Sequence, residues 1–145
     1  MSHSYKSQYP FGVEVESSIV EFFERFYRVS DTPGAHDEYV DMFTNDATFI
    51  LASKSSRGRE DILSMRHGMW SSISSRKHTV PKIFPFGSSS REFMLYGSVK
   101  FDFKDGKEGE VDWAARAELS SQDGVWRMSF YQVYLDTGAN IYGKK

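Results

Sequence analysis

The spacing of apolar residues changes character once along the chain, from a helical period to a strict alternation. Over residues 15–28, Val15, Ile19, Phe22, Phe23 and Phe26 recur at three- and four-residue steps, while Glu21, Glu24, Arg25 and Arg28 take the opposite side; this predicts one amphipathic helix. SDTPG stops it, because Pro33 has no N–H to donate and Gly34 tolerates unusual backbone angles. Thr32 is placed to cap a short second helix that begins at Pro33 and turns Tyr39, Met42 and Phe43 inward. NDATFIL reads as a strand and SKSSRG as a turn, after which Ile62, Met65, Met69 and Ile73 form the apolar stripe of a third helix.

Alternation takes over from Arg76. RKHTVPKIFPFG forms one strand. In REFMLYGSVKFDF, Phe93, Leu95, Gly97, Val99, Phe101 and Phe103 share a face, and in VDWAARAEL so do Val111, Trp113, Ala115, Ala117 and Leu119. Turns at Asp105-Gly106 and SSQDG separate these from a last strand, GVWRMSFYQVYLD. The expectation is an α+β domain with three N-terminal helices on one face of a strongly curved, mostly antiparallel sheet. Its long strands form a meander, and the DATFIL strand is added at an edge. Residues 1–12 and 138–145 read as tails, the first of them flexible, around a single domain at 13–137.

Composition agrees with one domain: 145 residues, 39% hydrophobic and 16% aromatic, suffice for a real core. The net charge of −2, from 18 basic and 20 acidic residues mixed along the chain, leaves no footprint for nucleic acid or an anionic membrane. Cysteine is absent, which removes disulfides, thiolate nucleophiles and thiolate metal sites. MSHSYKSQYPFG lacks the apolar stretch of a signal peptide and no apolar run reaches membrane-spanning length, so a cytoplasmic location is expected. Nucleotide-binding glycine loops, H-E-x-x-H and G-x-S-x-G are all missing. His36, His67 and His78 fall on different predicted elements without ligand spacing, and His3 lies in the tail. Neither a metal nor a cofactor is expected.

The order of these elements, with AHDEYVDMFTNDATFILASKSSRGREDIL followed by RKHTV and DGVWRMSFYQVYLD, resembles the SnoaL-like branch of the nuclear transport factor 2-like superfamily over residues 15–137. The resemblance implies a cone around a pocket, commonly as a homodimer. It implies no single reaction, since isomerases, dehydratases, cyclases, epoxide hydrolases and non-catalytic binders share the fold. Scytalone dehydratase, within the superfamily, has a histidine where His78 stands, and its second histidine would fall at Asp112. Its two tyrosines map near Ser30 and Leu51, so the arrangement that polarises a substrate carbonyl through water is missing and scytalone dehydration is not expected.

Strand parity groups His78 with Val80, Lys82, Phe84 and Phe86, away from Lys77, Thr79, Pro81, Ile83 and Pro85. Turned inward, His78 faces the pocket, where a neutral imidazole exchanges protons near neutral pH; the other reading is a core histidine bonded to a backbone carbonyl. Asp112 has two placements. Parity sets it opposite Trp113, Ala115 and Ala117, the resemblance sets it inside, and a one-residue bulge would reconcile them. Even then the Phe93–Phe103 strand separates it from His78 by roughly 10 Å. Arg116 shares its face and reads either as a binder of an anionic or carbonyl group or as an outward ion pair.

Tyr27, Phe43, Phe49, Trp70, Trp113, Phe130 and Tyr134 come from elements expected around the pocket, and Ala115 and Ala117 leave room beside Trp113. That suits a flat, largely hydrophobic ligand, with Tyr27, Tyr134, Gln132 and His78 as polar handles. Met94, Tyr96, Tyr131 and Val133 make the other face apolar, and a homodimer through that outer face would cover it. The expected function is a cofactor-free isomerase, cyclase or dehydratase acting on a small apolar, polyketide- or terpenoid-like molecule. His78 shuttles the proton, and Asp112 or a tyrosine, Tyr134 among the candidates, polarises oxygen. A non-catalytic small-molecule binder and a dimeric protein-interaction module are the alternatives.

Overall fold

The computed structural model describes residues 3–138; the expected C-terminal tail lies outside the described residues from 139 onward. Three helices, α1 (Ser17–Ser30), α2 (His36–Val40) and α3 (Arg59–Trp70), accompany six strands among the described residues: β1 (Phe43–Leu51), β2 (Lys54–Arg57), β3 (Ile73–Pro85), β4 (Glu92–Phe103), β5 (Glu108–Gln122) and β6 (Val125–Leu135). The strands form one sheet in the order β2-β1-β6-β5-β4-β3. β1 and β6 run parallel and every other neighbouring pair antiparallel, so the α+β domain is built on a mixed sheet. No helix among the described residues is long and apolar enough to cross a membrane.

Several boundaries differ from the sequence expectation for local reasons. SKSSRG is not a turn. Its middle four residues, Lys54–Arg57, form β2, paired with β1 from Thr48↔Arg57 to Leu51↔Lys54, and Ala52 at φ 56° helps close the tight hairpin. β2 therefore takes the edge and β1 lies inside the sheet, against β6. Thr32 donates its hydroxyl to the Arg28 carbonyl at 2.7 Å, closing α1 instead of capping α2, which begins at His36. Ile73 opens β3 and does not belong to the α3 stripe.

The core sits between α1, α2 and the inner sheet face. Ile19, Phe22, Phe23 and Phe26 of α1 are buried together with Tyr39, Phe43, Phe49 and Tyr131. The Phe26 ring meets those of Tyr27, Tyr39, Phe43 and Tyr131 at centroid distances of 5.0–5.8 Å, mostly edge to face, the arrangement that aromatic quadrupoles favour.

Bulges decide which strand side chains turn inward. β4 and β5 pair without interruption from Glu92↔Glu118 to Asp102↔Glu108, and their alternate residues Phe93 to Phe101 and Val111 to Leu119 are buried as parity predicts. β3 slips twice against β4, between Ile73 and Ser75 and between Thr79 and Lys82. Its buried side chains are consequently Ile73, Arg76, His78, Val80 and Ile83, while Phe84 and Phe86, expected to travel with His78, are exposed. On β6, Glu118 pairs with Phe130 but Leu119 with Met128, leaving Ser129 as an extra residue. That bulge reverses the expected parity: Met128, Tyr131 and Val133 are buried, and Tyr134 points out.

Residues 3–10, expected as a flexible tail, run along β3. The Gln8 N–H donates to Pro81 O at 2.9 Å and the Ile83 N–H to Gln8 O at 3.0 Å, forming an isolated parallel bridge.

Candidate active site

The last turn of α1 and the middle of β3 bring together two groups far apart in sequence. Asp31 is the first residue beyond α1, its N–H still bonded to Tyr27 O. Its carboxylate grips His78 twice: Oδ1 lies 2.6 Å from Nδ1 of the imidazole, and Oδ2 accepts the His78 backbone N–H at 2.7 Å. The Tyr5 hydroxyl donates to the same Oδ2 at 2.8 Å. Both side chains are nearly sealed from solvent, with 4% of Asp31 and 11% of His78 exposed. A carboxylate oxygen accepts, so the proton between them sits on Nδ1 and the lone pair of the neutral ring is on Nε2.

His78 lines a cavity of about 240 Å³ whose wall is mostly apolar, including Phe49, Val99, Phe101, Trp113 and Tyr131. Arg76, on the same face of β3, lines it too; its guanidinium lies over the rings of Trp70 and Phe101 at 5.6 and 5.4 Å and donates to Met69 O at 3.4 Å. Burial lowers the imidazole pKa below its ordinary 6.5; the hydrogen bond and charge of Asp31 pull it back up, and Arg76 and Arg66 push it down. The ring is thereby kept neutral and able to accept a proton near neutral pH. A second, more polar cleft, lined by β2 and α3, adjoins the first and shares Leu51, Gly68 and Met69 with it.

A fully buried arginine fixes the Asp31 end of the pair. Arg66 of α3 donates to Ser30 O at 2.7 Å, Thr32 O at 2.9 Å and Val29 O at 3.3 Å, and through Nε to His36 Nδ1 at 3.0 Å. Ser30 O ends α1, while Val29 O and Thr32 O also accept the Thr32 and Ala35 N–H groups, so Arg66 reinforces the turn that follows the helix, and a cation there complements the helix dipole.

Of the residues expected to carry chemistry, only His78 reaches this arrangement. Asp112 is exposed on the outer sheet face, because β5 has no bulge at that point and simple parity holds; it pairs with Ser98, across β4 from His78. Tyr134 is exposed too, and its hydroxyl donates to Gln132 Oε1 at 3.1 Å on the same outer face, a consequence of the Ser129 bulge. Arg116 is an outward ion pair with Glu92 and Glu118, its guanidinium 4.1 Å from the ring centre of outward-facing Phe130. Phe49 and Trp113 line the cavity. Tyr27, Phe43 and Trp70 are buried behind its wall: Tyr27 stacks on Trp113 at 5.6 Å, meets His78 at 5.2 Å and shares a 2.8 Å hydrogen bond with the Tyr131 hydroxyl. Ser30 and Leu51, expected where phenols stand in scytalone dehydratase, do line the cavity. No group of three His, Cys, Asp or Glu able to hold a metal occurs among the described residues.

Asp31, Arg66 and Arg76 were not singled out by sequence. Arg76 carried a signal, since it stands two residues before His78 in a strand and so shares its face. Asp31 lies 47 residues from its partner and reads locally as helix-stop chemistry.

No protein-family model matches the sequence, and no curated protein matches it significantly. Solved structures do match in fold. A scytalone dehydratase-like protein from Novosphingobium aromaticivorans superposes with a TM-score of 0.74 at 14% identity, covering 83% of each chain. The hexachlorocyclohexane dehydrochlorinase LinA-type3 from Novosphingobium barchaimii gives 0.67 at 14% identity, covering 85% of this chain and 90% of its own. Nuclear transport factor 2 from Cryptosporidium parvum gives 0.66 at 12%, covering 80% and 90%. The chain has the nuclear transport factor 2-like fold.

Proposed function

We propose that the chain is a cofactor-independent lyase or isomerase that removes a proton from carbon in a small, mainly apolar molecule, with His78 as the base. The observation that carries this reading is the Asp31–His78 pair, tied through Nδ1 at 2.6 Å and set in the wall of an apolar cavity that also contains Arg76. Asp31 holds the tautomer and orientation of the ring and stabilises the imidazolium once it forms. The substrate C–H proton passes to Nε2. The electron pair it leaves either expels a group from the neighbouring carbon or moves into an adjacent carbonyl, and the Arg76 guanidinium stabilises the negative charge that develops in a site with little water. The imidazolium then returns its proton to the departing group or to another carbon, so the reaction closes without an oxidant or reductant.

A cavity of about 240 Å³ is smaller than the ~300–1,000 Å³ typical of drug-sized ligand sites, which favours a compact polyketide- or terpenoid-like ring held by the curved sheet and its helices. Fold neighbours named for a dehydratase and a dehydrochlorinase support the class of reaction. The test is solvent exchange. Lipophilic ketones and hydroxylated or halogenated ring compounds are incubated with the protein in heavy water, and deuterium uptake and product are followed by mass spectrometry. His78→Gln and Asp31→Asn are expected to slow the reaction by about 10²–10⁴-fold. Exchange that survives His78→Gln at the wild-type rate excludes His78 as the base, and tight binding without exchange favours the non-catalytic binder.

A further inference from the structure

We propose that Tyr5 is a positioning residue of this site: the extended N-terminal segment delivers its hydroxyl to Asp31 and holds the carboxylate in the orientation that grips His78. The proposal rests on the Asp31–His78 reading above. Tyr5 donates to Asp31 Oδ2 at 2.8 Å, and the His78 backbone N–H reaches the same oxygen at 2.7 Å. One carboxylate oxygen is thus clamped from two sides, and the other is left to the imidazole.

The segment is built to bring Tyr5 there. His3, Tyr5, Ser7 and Tyr9 are partly buried while Ser4, Lys6 and Gln8 are exposed, the alternation of an extended chain lying on a surface. Its contacts bracket His78 along β3: His3 Nε2 meets His78 O, Ser7 Oγ donates to Val80 O at 2.6 Å, and Gln8 bridges Pro81 and Ile83. The Tyr5 ring itself is held between the Arg28 guanidinium at 5.5 Å and the His3 ring at 4.8 Å. Burial and the charge of Asp31 push its phenol pKa up, so it remains a donor throughout the range in which His78 titrates. Tyr5 does not line the cavity and acts only through Asp31.

The titratable and charged groups around the pair and Tyr5 are His3 of the N-terminal segment, Tyr27 and Arg28 of α1, Tyr39 of α2, Arg66 of α3, Arg76 of β3 and Tyr131 of β6, and Tyr5→Phe removes none of them and keeps the ring that His3 and Arg28 meet. Removing the donor concentrates charge on the carboxylate, which favours the imidazolium. Nitrogen NMR titration of the His78 ring is expected to show the Tyr5→Phe midpoint raised by about 0.5–1 pH unit. Site-specific fluorination of the Tyr5 ring, which strengthens the donor without changing the shape, is expected to move the midpoint down. In the exchange assay Tyr5→Phe lowers kcat and leaves KM in place. Titration curves that coincide for the wild type, the Phe variant and the fluorinated protein overturn the role of Tyr5. If Asp31→Asn still shifts the midpoint, the dyad reading survives that failure; if Asp31→Asn leaves it in place, the dyad itself falls.

Discussion

His78 was legible because its neighbours alternate and one imidazole among apolar residues stands out; its partner was not, because nothing near Asp31 distinguishes an acid that completes a site from one that ends a helix. The distinction comes from the 47-residue return of β3 past the end of α1. The cost of burying the ring is measurable. Its folded pKa is depressed below 6.5 chiefly by desolvation, whereas the unfolded ring titrates near the ordinary value. Between the two, the unfolded chain carries a proton that the folded chain does not, so stability falls as pH drops through about 6.5 and goes on falling until the folded ring itself titrates. His36 is lowered in the same direction and adds a slope of its own. Urea unfolding of the wild type and of His78→Gln across this range is expected to differ by a slope approaching about 1.4 kcal/mol per pH unit, steeper in the wild type. Parallel curves would mean that the ring is not buried in its neutral form.

Strand existence and most inward faces could be read from alternation, as β4 and β5 demonstrate; what could not be read was where alternation slips. A bulge adds one residue with no change in the apolar pattern, and on β6, where both parities are apolar, either face satisfies the sequence. Tyr131 and Tyr134 therefore exchanged their expected places. The β3 bulge beside His78 has a counterpart in β4. A Cβ on Gly97 would lie 1.9 Å from Thr79 O and 3.2 Å from Cζ2 of Trp113, so glycine is what allows the bulged strand to approach. Gly97→Ala forces the Thr79 backbone outward and is expected to cost about 1–3 kcal/mol, read from the midpoint of chemical unfolding. The His78 ring signals should shift with it, since His78 precedes the displaced carbonyl. An Ala variant as stable as the wild type would show that β3 can be drawn back at no cost. The parallel pairing of β1 with β6 escaped the sequence for a different reason, because it closes only after α3 and all of β3 to β5 have been laid down.

Across the whole molecule, the sheet separates two surfaces with independent consequences. The candidate site occupies one side. On the other, paired registers align Phe84, Met94, Arg116 and Gln132 in one row and Lys82, Tyr96, Ala114 and Tyr134 in the next. Phe84, Met94, Tyr96 and Tyr134 are each 42–45% exposed, Phe84 and Tyr96 stack at 6.2 Å, and the Arg116 ion pairs with Glu92 and Glu118 lie beside them. Exposed aromatic side chains and Met are enriched in protein interfaces, and here the ion-paired Arg116 stands in the row itself, between Met94 and Gln132. We propose that a second copy of this chain covers this face, because a two-fold axis would set one aromatic row against its equal. Sedimentation at micromolar concentration is expected to give a dimer, and Tyr96→Glu, which places a charge in each half of the contact, a monomer. A stable specific interface needs about 800 Å² per partner, so single substitutions at the rim, such as Lys82→Ser, should leave the dimer intact. The His78 titration should be identical in the dimer and in the Tyr96→Glu monomer, since the sheet lies between them. A wild-type chain that sediments as a monomer removes the dimer without touching the site, and a His78 midpoint that follows dimerisation would show that the two faces are coupled through the strands they share.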